Sequence, residues 1–292
     1  MNLAAILARL DAYERLVRLD KPVGILLLLW PTLWGLWLAA GGVPALLTLW
    51  VFVLGTVLTR SAGCAINDWA DRHFDHAVKR TQARPLAARE IAPWEALAVA
   101  AFLAASAFAM TVATLNMLAV WLAVLAGALA TIYPFTKRFF SLPQAWLGAC
   151  FGLGIPMAFA AIQGAVPLLA WALWGANLFW VLAYDTLYAM VDRDDDVKIG
   201  IHTSALLFGR HDVAAVLAFE AIFLGAMAAV GVWQGYGVPY YAGLAGAALL
   251  AVREVPAIRT RTRDACFLAF RRSHAMGLAI FVGIVADALM RG

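Results

Sequence analysis

Asn67-Asp68-Trp69-Ala70-Asp71-Arg72-His73-Phe74-Asp75 follows an apolar run and brings together an amide and three carboxylates. At about 100° per helical residue, Asp68, Asp71 and Asp75 share one stripe, with Asn67 at its edge. Carboxylates so placed repel one another unless a cation lies between them. Oxygen donors suit a hard ion such as Mg²⁺, which takes a few carboxylates, waters and substrate phosphate oxygens. An isolated acidic cluster is more often a solvated helix end, so the stretch alone decides nothing.

A second acidic stretch changes the balance. Tyr184-Asp185-Thr186-Leu187-Tyr188 leads into Asp192-Arg193-Asp194-Asp195-Asp196-Val197-Lys198. On a helix, Asp185, Asp192 and Asp196 share a stripe with Tyr188 beside them, while Asp194 and Asp195 turn away and are expected to face water. Asp71/Asp75 and Asp192/Asp196 are thus matching i,i+4 pairs. Facing each other, they would hold Mg²⁺ ions with a diphosphate between them. Arg72, Lys79 and Arg80 after the first cluster, Lys137 and Arg138 in the middle loop, and Lys198 after the second could neutralise the remaining charge. Metal and cations on a departing diphosphate stabilise the negative charge that grows as its bond to carbon breaks, which suits ionisation of an allylic diphosphate.

The elements that must position these residues are membrane helices. Of 292 residues, 64% are hydrophobic and 14% charged, against about 25% charged in a soluble domain, and the mean hydropathy is +0.82. The start, Met1–Arg18, carries both signs of charge and no apolar core before a small-residue cleavage site, so no removable signal peptide is expected. Pro22–Thr59 has no charge and breaks at Gly41-Gly42-Val43-Pro44. Ala96–Thr136 breaks near Asn116, Phe139–Tyr184 at Gln163–Pro167, and Val213–Val252 at Gln234–Pro239, and a last span begins near His274. That predicts an all-α polytopic membrane protein with nine transmembrane helices. Residues 1–292 are expected to form a single domain, with the acidic motifs at 67–75 and 192–196 a weak internal repeat.

Nine spans alternate the connecting segments between two sides, and every one of the 22 basic residues except Arg291 then falls on one side. Basic loops face the cytoplasm, which puts the amino terminus and both acidic motifs there and the carboxyl terminus opposite. The net charge of +4 accordingly reflects contact with anionic membrane lipid, and no nucleic-acid partner is read from it. Cys64, Cys150 and Cys266 are scattered and indicate neither a disulfide framework nor a zinc site. The five histidines sit near predicted helix ends, and Mg²⁺ prefers oxygen to imidazole. Glu220 and Asp287 lie within spans and are expected outside the main site.

The chain resembles the UbiA superfamily of intramembrane aromatic prenyltransferases. Its signatures Asn-x-x-x-Asp-x-x-x-Asp and Asp-x-x-x-Asp read here as Asn67/Asp71/Asp75 and Asp192/Asp196. Tyr133-Pro134-Phe135-Thr136-Lys137-Arg138 and the Tyr184–Asp196 stretch resemble its 4-hydroxybenzoate polyprenyltransferase branch. Arg18–Gly24, Arg60–Cys64, Lys79–Thr81, Arg84–Leu86 and Leu142–Gln144 extend the likeness over nearly the whole chain. The branch pattern has Gly before Glu90 and Lys at position 202, where this chain has Arg89 and His202.

The resemblance implies an Mg²⁺-dependent enzyme of the bacterial inner membrane, with nine helices in a ring around a cavity. Its expected substrates are a polyprenyl diphosphate and 4-hydroxybenzoate, prenylated ortho to the hydroxyl for ubiquinone synthesis. Asn67, Asp71, Asp75, Asp192 and Asp196 would hold the Mg²⁺–diphosphate, with Asp68 joining them or binding a metal-bound water. Lys137 and Arg138 would grip the diphosphate. The benzoate carboxylate falls by charge alone to Arg72 or a basic residue of Arg18–Lys21, including Lys21. Asp185 is left to orient a neighbour or help take the ring proton. Sister enzymes acting on a dihydroxynaphthoate, homogentisate or haem are the alternatives. A divalent-cation transporter is a distant one, since it would need acids deep in the spans or on both sides.

Overall fold

The computed structural model describes residues 3–291. All regular structure among them is helical. A short helix, α1 (Leu3–Leu16), precedes α2 (Val23–Ala40), α3 (Leu46–Asp71), α4 (Pro93–Thr114) and α5 (Met117–Thr136). Then come α6 (Pro143–Phe151), α7 (Gly154–Gln163), α8 (Leu168–Ile199), α9 (Ser204–Phe208), α10 (Asp212–Trp233), α11 (Val238–Ile258) and α12 (Arg263–Arg291). With α6–α7 and α9–α10 each taken as one interrupted span, nine segments of the described residues are long and apolar enough to cross a bilayer. The expected breaks are where the spans end. Gly41 adopts φ +64° and closes α2 by donating to Leu38 and Trp37 carbonyls, a conformation that costs glycine no Cβ clash. Asn116 caps α5 by accepting from the Ala119 amide at 3.0 Å. The last span starts earlier than its uncharged portion suggested, because α12 carries Arg263, Arg271 and Arg272 in its first turns.

Each span packs against the next in sequence, and α12 returns to pack against α2, so the nine spans close a ring. The thickest packing joins α2, α7, α8, α10, α11 and α12 around Trp34, Trp180 and Phe223. Trp180 stacks on Phe223 with centroids 5.6 Å apart. Trp50, Phe102, Trp121 and Leu249 are well exposed, as residues facing hydrocarbon must be. Cys64, Cys150 and Cys266 are buried free thiols.

At one end of the ring, Arg9 of α1 pairs with Glu95 of α4, while Arg15 pairs with Glu90 in the loop before it. Leu16 packs with Ala65, Leu86 and Ile91. This cluster secures the long loop between α3 and α4, which carries half of the acidic site.

Candidate active site

α3 ends at Asp71, earlier than a continuous stripe through Asp75 requires. The Phe74 amide donates to the Asp71 carbonyl at 2.7 Å, and a single 3₁₀ turn, Asp75–Ala77, then swings Asp75 back over the helix end. Thr81 locks that turn by donating its hydroxyl to the Asp75 carbonyl at 2.8 Å. α8 by contrast runs unbroken to Ile199, so its acidic stripe has the predicted phase.

The two stretches meet in one cavity of about 140 Å³, lined by Asn67, Asp71, Asp75, Asp185, Asp192 and Asp196. Tyr188, Arg80, Lys137 and Arg138 complete the group of predicted residues on its wall. Asn67 donates its amide to Asp71 Oδ2 at 3.2 Å, and Lys137 Nζ pairs with the same oxygen. Arg80 Nε donates to both Asp192 oxygens at 3.0 and 3.1 Å, and its guanidinium lies 4.4 Å from the Tyr188 ring centre. Arg138 donates to the Ala70 carbonyl at 3.1 Å and stacks against Phe135 and Phe74.

Arg84 bridges Asp75 and Asp68, with Nη1 3.0 Å from an oxygen of each. Burial works against its charge, but the two carboxylates outweigh that and raise its pKa. Asp75 is also shifted upward: burial is the largest cause, Arg84 opposes it, and the Asp68 and Asp71 carboxylates add to it. The side chains of Asp185 and Asp196 have no hydrogen-bond or ion-pair partner among the described residues.

Several expectations need correction. Asp68 does not reach the cavity. It is 1% exposed and held by Arg18 at 2.8 Å and by Arg84, so here it positions Arg84. Asp195 does not face water: it is buried, accepts from Arg263 at 2.7 Å and from the Lys79 backbone amide at 3.4 Å. Asp194 is exposed as expected. The Lys79 side chain is exposed and away from the cavity, as is Lys198, 3.8 Å from Asp195. Arg72 folds back onto the Trp69 ring and carbonyl, and Lys21 is exposed beside Asp20. Neither lines the site, and Arg18 is committed to Asp68.

Sequence reasoning missed Arg84 as a site residue, because its separation from Asp75 is not a helical spacing. It also missed Tyr133, Gln144 and His202, which line the cavity, and Arg60. Arg60 comes off the wall of α3 one helical turn before Cys64. Its Nε is buried without a partner, and its charge lies close to Tyr133, Tyr184, Tyr188 and Asp185. Its guanidinium also abuts Gly24, where any Cβ would come within 2.8 Å of it. His202 donates its amide to the Lys137 carbonyl at 3.0 Å, tying the loop after α8 to the one that carries Lys137.

Among the described residues, no three His, Cys, Asp or Glu side chains converge closely enough to hold a metal by themselves. The donor set still fits Mg²⁺, which keeps several waters and relies on one or two carboxylates with substrate phosphate. Arg80, Arg84 and Lys137 each occupy a carboxylate, so the same cations are on hand for an incoming diphosphate. Glu220 and Asp287 lie outside this cavity, and Asp287 accepts from the Gly237 amide at 2.6 Å.

Comparison with known proteins bears on this geometry. The UbiA prenyltransferase family model matches residues 28–281. The 4-hydroxybenzoate octaprenyltransferase of Cupriavidus necator is 60% identical over 98% of this chain and 100% of its own length. That of Dechloromonas aromatica is 54% identical over 100% of this chain and 99% of its own. Among solved structures, an apo UbiA homologue from Aeropyrum pernix K1 superposes with a TM-score of 0.79 at 28% identity, covering 90% of this chain and 97% of its own. A UbiA homologue from Archaeoglobus fulgidus bound to GPP and Mg²⁺ shares the fold, with a TM-score of 0.68 at 19% identity over 94% and 99% of the two chains. The chain is an integral membrane protein and belongs to the UbiA prenyltransferase family.

Proposed function

We propose that this protein transfers a polyprenyl group from a polyprenyl diphosphate to the carbon ortho to the hydroxyl of 4-hydroxybenzoate, the prenylation step of ubiquinone synthesis. The observation that carries the reading is the convergence of Asn67, Asp71 and Asp75 with Asp192 and Asp196 on one cavity beside Arg80, Lys137 and Arg138. Near-complete alignment with 4-hydroxybenzoate octaprenyltransferases supports the acceptor. The octaprenyl chain in those names supports a long isoprenoid donor.

The carboxylates and cations of the site are paired with one another, so binding is an exchange of partners. A diphosphate draws Lys137, Arg80 and Arg84 onto its oxygens, which frees oxygens of Asp71, Asp192 and Asp75. Mg²⁺, when bound by these residues with Asn67 and Asp196, supplies Lewis-acid stabilisation of the leaving diphosphate. The carbon–oxygen bond then breaks with the electron pair leaving on the diphosphate, whose charge Lys137, Arg80 and Arg138 stabilise. The allylic carbon bonds to the ring carbon ortho to the hydroxyl, and that carbon's proton is lost. Asp185 lines the same cavity without a cation partner and is the residue assigned to receive the proton or to orient the group that does.

The acceptor's carboxylate needs a buried cation, and Arg60 meets that need better than Arg72 or Lys21. Its Nε lacks a partner, and its neighbours Tyr133, Tyr188 and Asp185 line the reaction cavity. The orientation inferred from the basic loops puts the site on the cytoplasmic face of a bacterial inner membrane. The test is an assay of purified protein with a polyprenyl diphosphate, Mg²⁺ and a panel of acceptors. Prenylated 4-hydroxybenzoate, lost on chelation of Mg²⁺, is expected. Product only from a dihydroxynaphthoate, homogentisate or haem would overturn the assignment.

A further inference from the structure

A second cavity, of about 200 Å³, opens between α8, α10, α11 and α12, apart from the acidic site. Leu187, Leu250 and Met276 make part of its wall apolar, and Glu220, Glu254 and Arg272 bring charge to it. Glu254 is matched, accepting from Arg272 Nη1 at 3.1 Å. Glu220 is not. It is 9% exposed, lines the cavity, and has no hydrogen-bond or ion-pair partner among the described residues. An apolar wall does not solvate a carboxylate, so Glu220 requires a proton or a cation from outside the chain.

Position narrows the ligand. Glu220 lies about 12 Å along α10 from its start, and Arg272 about 14 Å along α12. Both line the one cavity, and Arg272 closes the basic run Arg253–Arg272 that lies on the cytoplasmic side. Arg253 is exposed and Arg272 half-exposed, so the cavity is reached from the headgroup region. A ligand there meets a carboxylate in need of a cation and, on the wall of the same cavity, guanidiniums able to hold an anion. A zwitterionic phospholipid carries both charges on one headgroup, with tails that remain in the bilayer.

We propose that this cavity binds the primary-ammonium headgroup of a phospholipid, Glu220 accepting its N–H bonds while Arg272 and Arg253 meet its phosphate. A primary ammonium donates hydrogen bonds; a trimethylated one has none to give. The site thus discriminates between headgroups that have the same net charge.

The experiment is native mass spectrometry of the full-length protein titrated with phosphatidylethanolamine, phosphatidylcholine and phosphatidylglycerol of identical acyl chains. Phosphatidylethanolamine is expected to bind at least about tenfold more tightly than phosphatidylcholine, the effect of one charge-assisted hydrogen bond. Glu220→Gln, checked for folding by its thermal melt, is expected to remove that preference. Equal binding of the two zwitterionic lipids to the unaltered protein would overturn the proposal without reference to any variant. So would tightest binding of phosphatidylglycerol, or an unchanged preference in folded Glu220→Gln. None of these readouts depends on prenyl transfer, so the proposal and the assigned reaction stand or fall separately.

Discussion

Arg60 and Arg89 show how single residues carry consequences beyond their immediate contacts. Arg60 has a buried nitrogen without a partner, in a neighbourhood of tyrosines and Asp185. If it holds the acceptor's carboxylate, Arg60→Leu raises the KM for 4-hydroxybenzoate roughly 10–100-fold, the cost of a lost charge-assisted pair. The KM for the diphosphate should change far less, and steady-state kinetics with each substrate varied in turn separates the two. Arg89 sits at φ +60°, a left-handed conformation that favours glycine. The Gly expected there from the family pattern therefore has a backbone cause. Arg89→Gly should be at least as thermostable as the parent, whereas Arg89→Val, with its β-branch in that conformation, should lose about 1 kcal/mol or more. A thermal melt in detergent distinguishes the two outcomes.

At the scale of elements, close backbone approach sets what each helix tolerates. A Cβ on Gly243 of α11 would meet the Ala279 carbonyl of α12 at 2.5 Å and the Gly283 Cα at 2.9 Å. Small residues let membrane helices approach in this way. Gly243→Leu is expected to destabilise by about 1–3 kcal/mol through overpacking, read as a lowered melting temperature. Much of this level was legible beforehand. Apolar runs broken at Gly41–Pro44, Asn116, Gln163–Pro167 and Gln234–Pro239 marked eight span ends, because glycine, proline and caps act locally. The helical phase of Asp185, Tyr188, Asp192 and Asp196 was legible for the same reason, as α8 continues through them. The environments of Asp75, Asp68 and Asp195 were not. Asp75 depends on where α3 stops and on a 3₁₀ turn held by Thr81. Asp68 and Asp195 depend on which arginine, distant in sequence, arrives beside each: Arg18 and Arg84 for one, Arg263 for the other.

At the scale of the whole molecule, ring closure brings the inner ends of α3 and α8 together. α12 packing on α2 closes the circle, and the loops after α3 and α5 deliver Arg80, Arg84 and Lys137 over it. All of these lie on the side that basic-loop counting makes cytoplasmic. Alkaline phosphatase fused after Arg291 should consequently be active in a bacterial host, and inactive when fused in the loop at Gly200. The reverse pattern would invert the orientation.

The divided site makes a demand that independent residues would not. If Asp71 and Asp192 hold one Mg²⁺–diphosphate between them, removing either disables the same unit. The most direct measurement is kcat/KM for polyprenyl diphosphate in Asp71→Ala, Asp192→Ala and the double variant, each verified as folded and membrane-inserted. Each single substitution should lose on the order of 10²–10³-fold or more, and the double variant little beyond either one, while exposed Asp194→Ala stays near the parent. Near-normal turnover in either single variant, or a double variant whose loss is the product of the two, would contradict a shared site.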